Sequence, residues 1–114
     1  PAMNDLSWKE FERIELRVGT ILSAEIFKEA RTPAIKLSID FGNDIGVRKS
    51  SAQITNHYLP EELIGKQISA VVNFPKKQIG PMMSECLVTG FIQDDGSVIL
   101  AVPDKVSKNG ARLA

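Results

Sequence analysis

A small all-β barrel is the fold class this 114-residue chain predicts. Three observations carry that expectation. Apolar and polar residues alternate over short runs with strand period, turn-forming pairs punctuate those runs, and only two stretches carry helix-start chemistry. A chain of this length forms a single domain, residues 3–114, and buries roughly two thirds of its unfolded surface without disulfides or structural metal. Pro1-Ala2, ahead of Met3, is set aside as an appended or processed start.

Taken in order, Ser7-Trp8-Lys9-Glu10 fits a capping box, in which the Ser7 hydroxyl accepts from the third helical N–H and Glu10 reaches back. A short N-terminal helix follows. Trp8 and Phe11 fall three apart on one face of it, and that face must bury against the barrel or against a second subunit. A homodimer with Trp8 and Phe11 in its interface is the expectation. From 17 to 27, Val18, Leu22, Ala24 and Ile26 share one parity, opposite Gly19, Ser23 and Glu25. Gly19 inside this strand marks a bulge or a close backbone approach. Further strands fall at 34–41, 46–51, 67–73, 85–91 and 98–102.

Between the third and fourth strands, 54–63 breaks the alternation, and Pro60-Glu61-Glu62-Leu63 has the proline and acids of a helical first turn. Thr32-Pro33, Gly42-Asn43, Gly80-Pro81, Asp94-Asp95-Gly96 and Asn109-Gly110 mark turns. Five core strands with a helical insert after the third, a short N-terminal helix and extra C-terminal strand are the layout of an OB-fold, a five-stranded Greek-key barrel. An SH3-like barrel or a small sandwich is the alternative.

Composition excludes several function classes. Lys plus Arg and Asp plus Glu balance at 14 each, so any polyanion site must come from asymmetric placement. Asp5, Glu10, Glu12, Glu15, Glu25 and Glu29 crowd the first thirty residues, whereas Arg48, Lys49, Lys66, Lys76 and Lys77 gather in the middle. The single cysteine, Cys86, stands in the apolar run Cys86-Leu87-Val88 and reads as a buried small hydrophobe. With no signal peptide and no apolar stretch near 18 residues, the expectation is a cytoplasmic protein without membrane insertion. No phosphate-binding Gly-x-x-x-x-Gly-Lys element is present, and Ser50 and Ser51 lack a nucleophile-elbow context. His57-Tyr58 has no second His, Cys pair or carboxylate at ligand spacing, which leaves His57 a surface or capping role. No catalytic set, metal or cofactor is expected.

What stands out instead is two basic islands, Arg48-Lys49-Ser50-Ser51-Ala52-Gln53 and Asn73-Phe74-Pro75-Lys76-Lys77. Lys and Arg supply charge and Ser, Gln and Asn supply directional hydrogen bonds, a combination suited to phosphate and sugar oxygens. The first island could equally be a solubilising strand edge. In a strand Arg48 and Ser50 share one face and Lys49 and Ser51 the other; the second pair is the one assigned to ligand. Lys76-Lys77 is placed at a hairpin tip between the fourth and fifth barrel strands, as a phosphate contact or a solvated turn. Met82-Met83 either fills a core gap or, with Phe74 and Ile79, forms an adaptable apolar patch for extended polypeptide.

Five blocks in order carry a resemblance: Glu15-Leu16-Arg17-Val18-Gly19; Ala34-Ile35-Lys36-Leu37 leading to Ile39-Asp40-Phe41-Gly42; Lys49-Ser50-Ser51-Ala52-Gln53-Ile54-Thr55; Val71-Val72-Asn73-Phe74-Pro75; and Ser84-Glu85-Cys86-Leu87-Val88. Together, over about residues 11–110, they resemble the tRNA-binding OB domain appended to methionyl- and phenylalanyl-tRNA synthetases, and most of all its CsaA-type export-chaperone form. The resemblance implies an OB-fold homodimer that binds tRNA by shape and, in CsaA-type members, unfolded or preprotein segments, with a synthetase acting in trans as a further possible partner. It assigns Lys36, Arg48, Lys49, Ser51, Gln53, Asn73, Lys76, Lys77 and Ser84 to nucleic acid. Glu15 stands where the family has aspartate, which implies a kept turn or ion pair. Cys86-Leu87 stands where Gly-Met commonly follows the family's serine, so that methionine's contact is not carried over.

Overall fold

The computed structural model describes residues 3–114; Pro1-Ala2 lie outside the described residues. Helix α1 (Trp8–Glu12) is a single turn started by the capping box, with the Ser7 hydroxyl accepting from the Glu10 N–H at 3.1 Å and Glu10 Oε1 from the Ser7 N–H at 3.0 Å. Strands β1 (Leu16–Ile26), β2 (Ile35–Asp40) and β3 (Val47–Ala52) form an antiparallel meander. A second short helix, α2 (Pro60–Leu63), then leads to β4 (Gln67–Val71), which pairs with the N-terminal half of β1. After a hairpin of β5 (Lys77–Ile79) and β6 (Met82–Ser84), β7 (Leu87–Val88) pairs with β4, giving the order β3-β2-β1-β4-β7. A last hairpin joins β8 (Gly90–Ile92) to β9 (Val98–Leu100).

The sheet curls until β3 meets the residues just before β7. The Glu85 N–H donates to the Lys49 carbonyl at 2.8 Å, and the Ser50 hydroxyl donates to the Cys86 carbonyl at 2.9 Å. The result is a nearly closed five-stranded OB barrel with helices of one turn each. Its core holds Ile21, Ile35, Leu37, Ile39, Phe41, Ile54, Leu63, Ile68 and Ala70. Strict alternation governs β2, where Ile35, Leu37 and Ile39 point in and Lys36, Ser38 and Asp40 point out.

In β1 the single parity expected over 17–27 fails. Gly19 and Ile21 face the core, and Leu22 is exposed. A register shift between Ile21 and Ser23 then moves Ala24 to the core side, opposite Leu37. An extra residue reverses which parity is buried, so one strand carries two phases. Gly19 itself is the close approach rather than the bulge, since a Cβ there would sit 2.6 Å from Ile39 Cγ2 and 2.7 Å from Phe41 Cδ1.

The strand expected at 85–91 is likewise divided into β7 and β8. The break falls at Thr89, which bonds across to Ser69 and Ala101. The C-terminal segment closes the barrel's outside: the Val18 N–H donates to Ala111, Gly110 to Val18 and Leu113 to Leu16. Among the described residues no helix is long and apolar enough to cross a membrane.

Candidate nucleic-acid interface

Two recesses flank the β5–β6 hairpin. The first is an apolar slot of about 480 Å³ above the β3–β7 seam. Ala52 and Ile54 from the end of β3 and Cys86, Leu87 and Val88 from the β7 side line it, and Phe74, Pro75, Lys77, Ile79 and Ser84 surround it from the β4 exit and the hairpin. Ser51, Gln53 and Val98 complete its lining. The second is a polar groove of about 740 Å³ on the outer face of β1, β2 and β3, lined by Ser23, Glu25, Lys36, Ser38, Lys49, Met82, Met83 and Glu85.

Strand register accounts for this sorting. Lys36 pairs with Ser51 and Ser38 with Lys49, so these four side chains share the outer face, whereas Leu37 pairs with the buried Ser50 and Ile39 with Arg48 on the inner one. Lys49 and Ser51 therefore point out. Arg48 turns its Nη1 to the Val72 carbonyl at 3.2 Å and braces the barrel end.

Of the nine residues assigned to nucleic acid, Ser51, Gln53, Lys77 and Ser84 converge on the slot, and Lys36 and Lys49 line the groove. Lys36 bonds Glu25 at 3.0 Å and lies over the Phe27 ring, 5.4 Å from its centroid. Asn73 uses its side-chain amide on the backbone, accepting from the Glu15 N–H and donating to the Arg13 carbonyl, and so ties the N-terminal segment to the barrel. Lys76 is ion-paired to Glu85 at 3.5 Å. Gly80 and Pro81 make the hairpin tip, so Lys76 and Lys77 stand at its foot, not at the tip the sequence suggests.

The four residues assigned to polypeptide divide in the same way. Phe74 and Ile79 line the slot, Met82 and Met83 the groove. Adjacent in β6, the methionines point oppositely: Met82 is buried with Phe27 and Ala34, whereas Met83 is 41 % exposed. Trp8 and Phe11 pack edge to face at 6.2 Å, and α1 buries none of its residues against the barrel.

Glu85 is the residue beside both recesses that residue-type reasoning passes over. Its Oε1 accepts from the Lys49 N–H at 3.0 Å and its Oε2 faces Lys76, and the Lys49 N–H first and the Lys76 ammonium after it hold this carboxyl below its ordinary value. The available signal is that it is the only acid between Lys66 and Gln93. Cys86 lies in the slot lining, and burial pushes its thiol up to about 11, so it stays a neutral apolar wall. Glu15 makes the expected ion pair, reaching Arg17 at 2.6 Å and Arg112 at 3.5 Å.

His57, Ser97 and Asp95 have the composition of a nucleophilic triad but not its arrangement. The His57 Nε2 meets Ser97 Oγ at 2.7 Å, yet the Ser97 hydroxyl donates to Asp95 at 2.6 Å, so the carboxylate orients the serine and not the imidazole. That hydroxyl, with the Ser97 N–H, holds Asp95 below the usual carboxylate range. Ser97 is buried, and the chain of bonds locks the β8–β9 turn to the helical insert. Among the described residues no group of three or more His, Cys, Asp or Glu side chains could hold a metal ion.

Residues 16–112 match the family described as "Putative tRNA binding domain". The solved chaperone CsaA from Bacillus anthracis is 48 % identical and superposes with a TM-score of 0.91, covering 97 % of this chain and 100 % of that one. CsaA from Picrophilus torridus is 50 % identical, with a TM-score of 0.89 over 96 % of this chain and 100 % of that one. A methionine--tRNA ligase of Porphyromonas gingivalis is 32 % identical over 103 residues, which are 90 % of this chain but 15 % of the ligase. The chain thus spans a small part of the ligases it matches. With five antiparallel strands in OB order and a near full-length likeness to two CsaA proteins, the chain belongs to the tRNA-binding domain family, in its CsaA-type branch.

Proposed function

We propose that this chain is a non-catalytic, cytoplasmic, homodimeric protein that binds tRNA through the face bearing the slot and groove. The observation that carries the reading is the convergence of Ser51, Gln53, Lys77 and Ser84, from β3, the residue after it, β5 and β6, on one recess. Lys49 and Lys77 have no carboxylate within ion-pair distance among the described residues, so each can replace a counterion on a phosphate without first breaking a bond. Two such faces in a dimer would raise avidity for one folded RNA. Trp8, 78 % exposed on a helix the barrel leaves uncovered, is the group such a dimer would bury.

A second reading is favoured by Phe74, Ile79 and the exposed Met83 beside these cations: the same face holds unfolded or export-bound polypeptide, and the solved CsaA proteins carry the name of chaperones. A dedicated secretion chaperone and a partner acting in trans with a synthetase are its variants. The deciding experiment titrates the protein with deacylated tRNA and with a denatured client at low and physiological salt, with sedimentation giving the mass of each complex. The expected result is salt-sensitive tRNA binding by a dimer, in competition with the client. Absence of tRNA binding at low salt rejects the first reading.

A further inference from the structure

We propose that the apolar slot takes one unstacked base of a single-stranded RNA segment, with Phe74 as its stacking platform and Lys77 on the adjoining phosphate; this rests on the tRNA reading above. A recess walled by apolar side chains offers little to a duplex, whose bases are stacked inside and whose surface presents sugars and phosphates. It suits a base splayed out of a loop or an end. Phe74 is 55 % exposed and lines the slot beside Pro75; the other exposed rings, Trp8 and Phe91, line separate cavities. One aromatic face at an apolar wall is enough to stack one base.

The polar groups present divide the remaining work. Lys76 is committed to Glu85, so among the described residues Lys77 is the unpaired ammonium at the slot. Ser51 and Gln53 spend no side-chain hydrogen bond within the described residues, and Ser84 makes only a 3.4 Å contact to the Cys86 carbonyl, which Ser50 already serves at 2.9 Å. Three small polar groups are thus free to bond a base edge or a 2′-hydroxyl. The exposed Phe74 ring and these free polar groups favour a base over a peptide side chain.

The test uses the whole chain with three RNA probes: a short oligoadenylate, the same strand carrying one abasic position in its centre, and a blunt duplex of equal length, with intact tRNA as reference. The expected result is single strand over duplex by at least tenfold, and weaker binding of the abasic strand. Phe74→Ala loses roughly ten- to a hundredfold for the single strand and nothing for the duplex, and Phe74→Trp restores the loss. Lys77→Ala lowers the salt slope by about 0.7, the worth of one single-strand phosphate, and Lys76→Ala leaves it unchanged. Equal affinity for duplex and single strand, or a single-strand affinity unchanged by Phe74→Ala, overturns the base slot and, with tRNA still bound by the unmodified chain, leaves the tRNA reading standing. If Phe74→Ala weakens only a denatured client, the slot belongs to polypeptide and the proposal fails. Loss of tRNA binding in the unmodified chain would instead remove the parent reading.

Discussion

The two sides on which this barrel closes are built differently. On the β4 side, closure rests on a backbone ladder with hydroxyls added to it: the Ser69 N–H donates to Ala101, Thr89 to Ser69 and Ala101 to Thr89, the Ser69 and Thr89 hydroxyls bond the Ala101 and Ser69 carbonyls, and the tail at 110–113 adds three more backbone bonds to β1. On the β3 side, one backbone bond, from Glu85 to Lys49, is supplemented by the Ser50 hydroxyl and the Glu85 carboxylate. A backbone ladder keeps its own bonds when a side chain is changed, whereas the second seam, with one such bond, depends for the rest on which residues occupy two positions. The apolar slot lies over the second seam. Binding is therefore the property most easily altered by substitution there, and global stability is the property most easily altered on the other side.

The largest stability effect should come from Ser69. Its hydroxyl donates to the Ala101 carbonyl at 2.7 Å and meets the Thr89 hydroxyl at 2.7 Å in a buried position. Ser69→Ala removes both, and urea unfolding is expected to read a loss of about 1–3 kcal/mol with tRNA affinity unchanged. Ser50→Ala removes one bond, to the Cys86 carbonyl, and should cost about 1 kcal/mol. Because Cys86 and Ser51 line the slot on either side of that bond, this smaller destabilisation is expected to weaken binding. If Ser69→Ala weakens binding more than Ser50→Ala, the two sides are not functionally distinct.

Much of this contrast is legible in the sequence, for reasons specific to each element. The alternation in β2 and β3 gives Lys36, Lys49 and Ser51 one face, because neither strand carries a bulge. The same reasoning breaks in β1, where the shift after Ile21 has no marker in residue type. Three-residue strands such as β5 and β6 are too short to show a period, and only the Gly80-Pro81 turn announces them. Residue type nominates Asn73 and Arg48 as ligand groups, but their partners, the Arg13 and Val72 carbonyls, come from distant parts of the chain that no local pattern connects. Glu85 is the converse case, an acid in a basic neighbourhood whose partners, a backbone N–H and a lysine, only folding brings to it.

The smallest stability effect and the sharpest functional one should come from that carboxylate. Glu85 has its pKa depressed in the folded chain, so its contribution is fully present above the ordinary value of 4.5 and disappears as the pH falls through the lower folded value. Acid should thus loosen the β3 seam in the unmodified protein. Glu15, held low by the Arg17 hydrogen bond first and by Arg112 after it, titrates in the same direction where the tail meets β1. Glu85→Gln separates the two. Its amide oxygen can still accept from the Lys49 N–H, so stability at neutral pH should change by less than about 1 kcal/mol, and the seam's share of the acid dependence should vanish while that of Glu15 persists. Removing the charge also releases Lys76 beside the slot. The expected result is a rise in tRNA affinity of a few fold, with the salt slope steeper by about one phosphate. A Glu85→Gln protein that binds tRNA less well would mean that the carboxylate orients the lysines for RNA instead of withholding one of them.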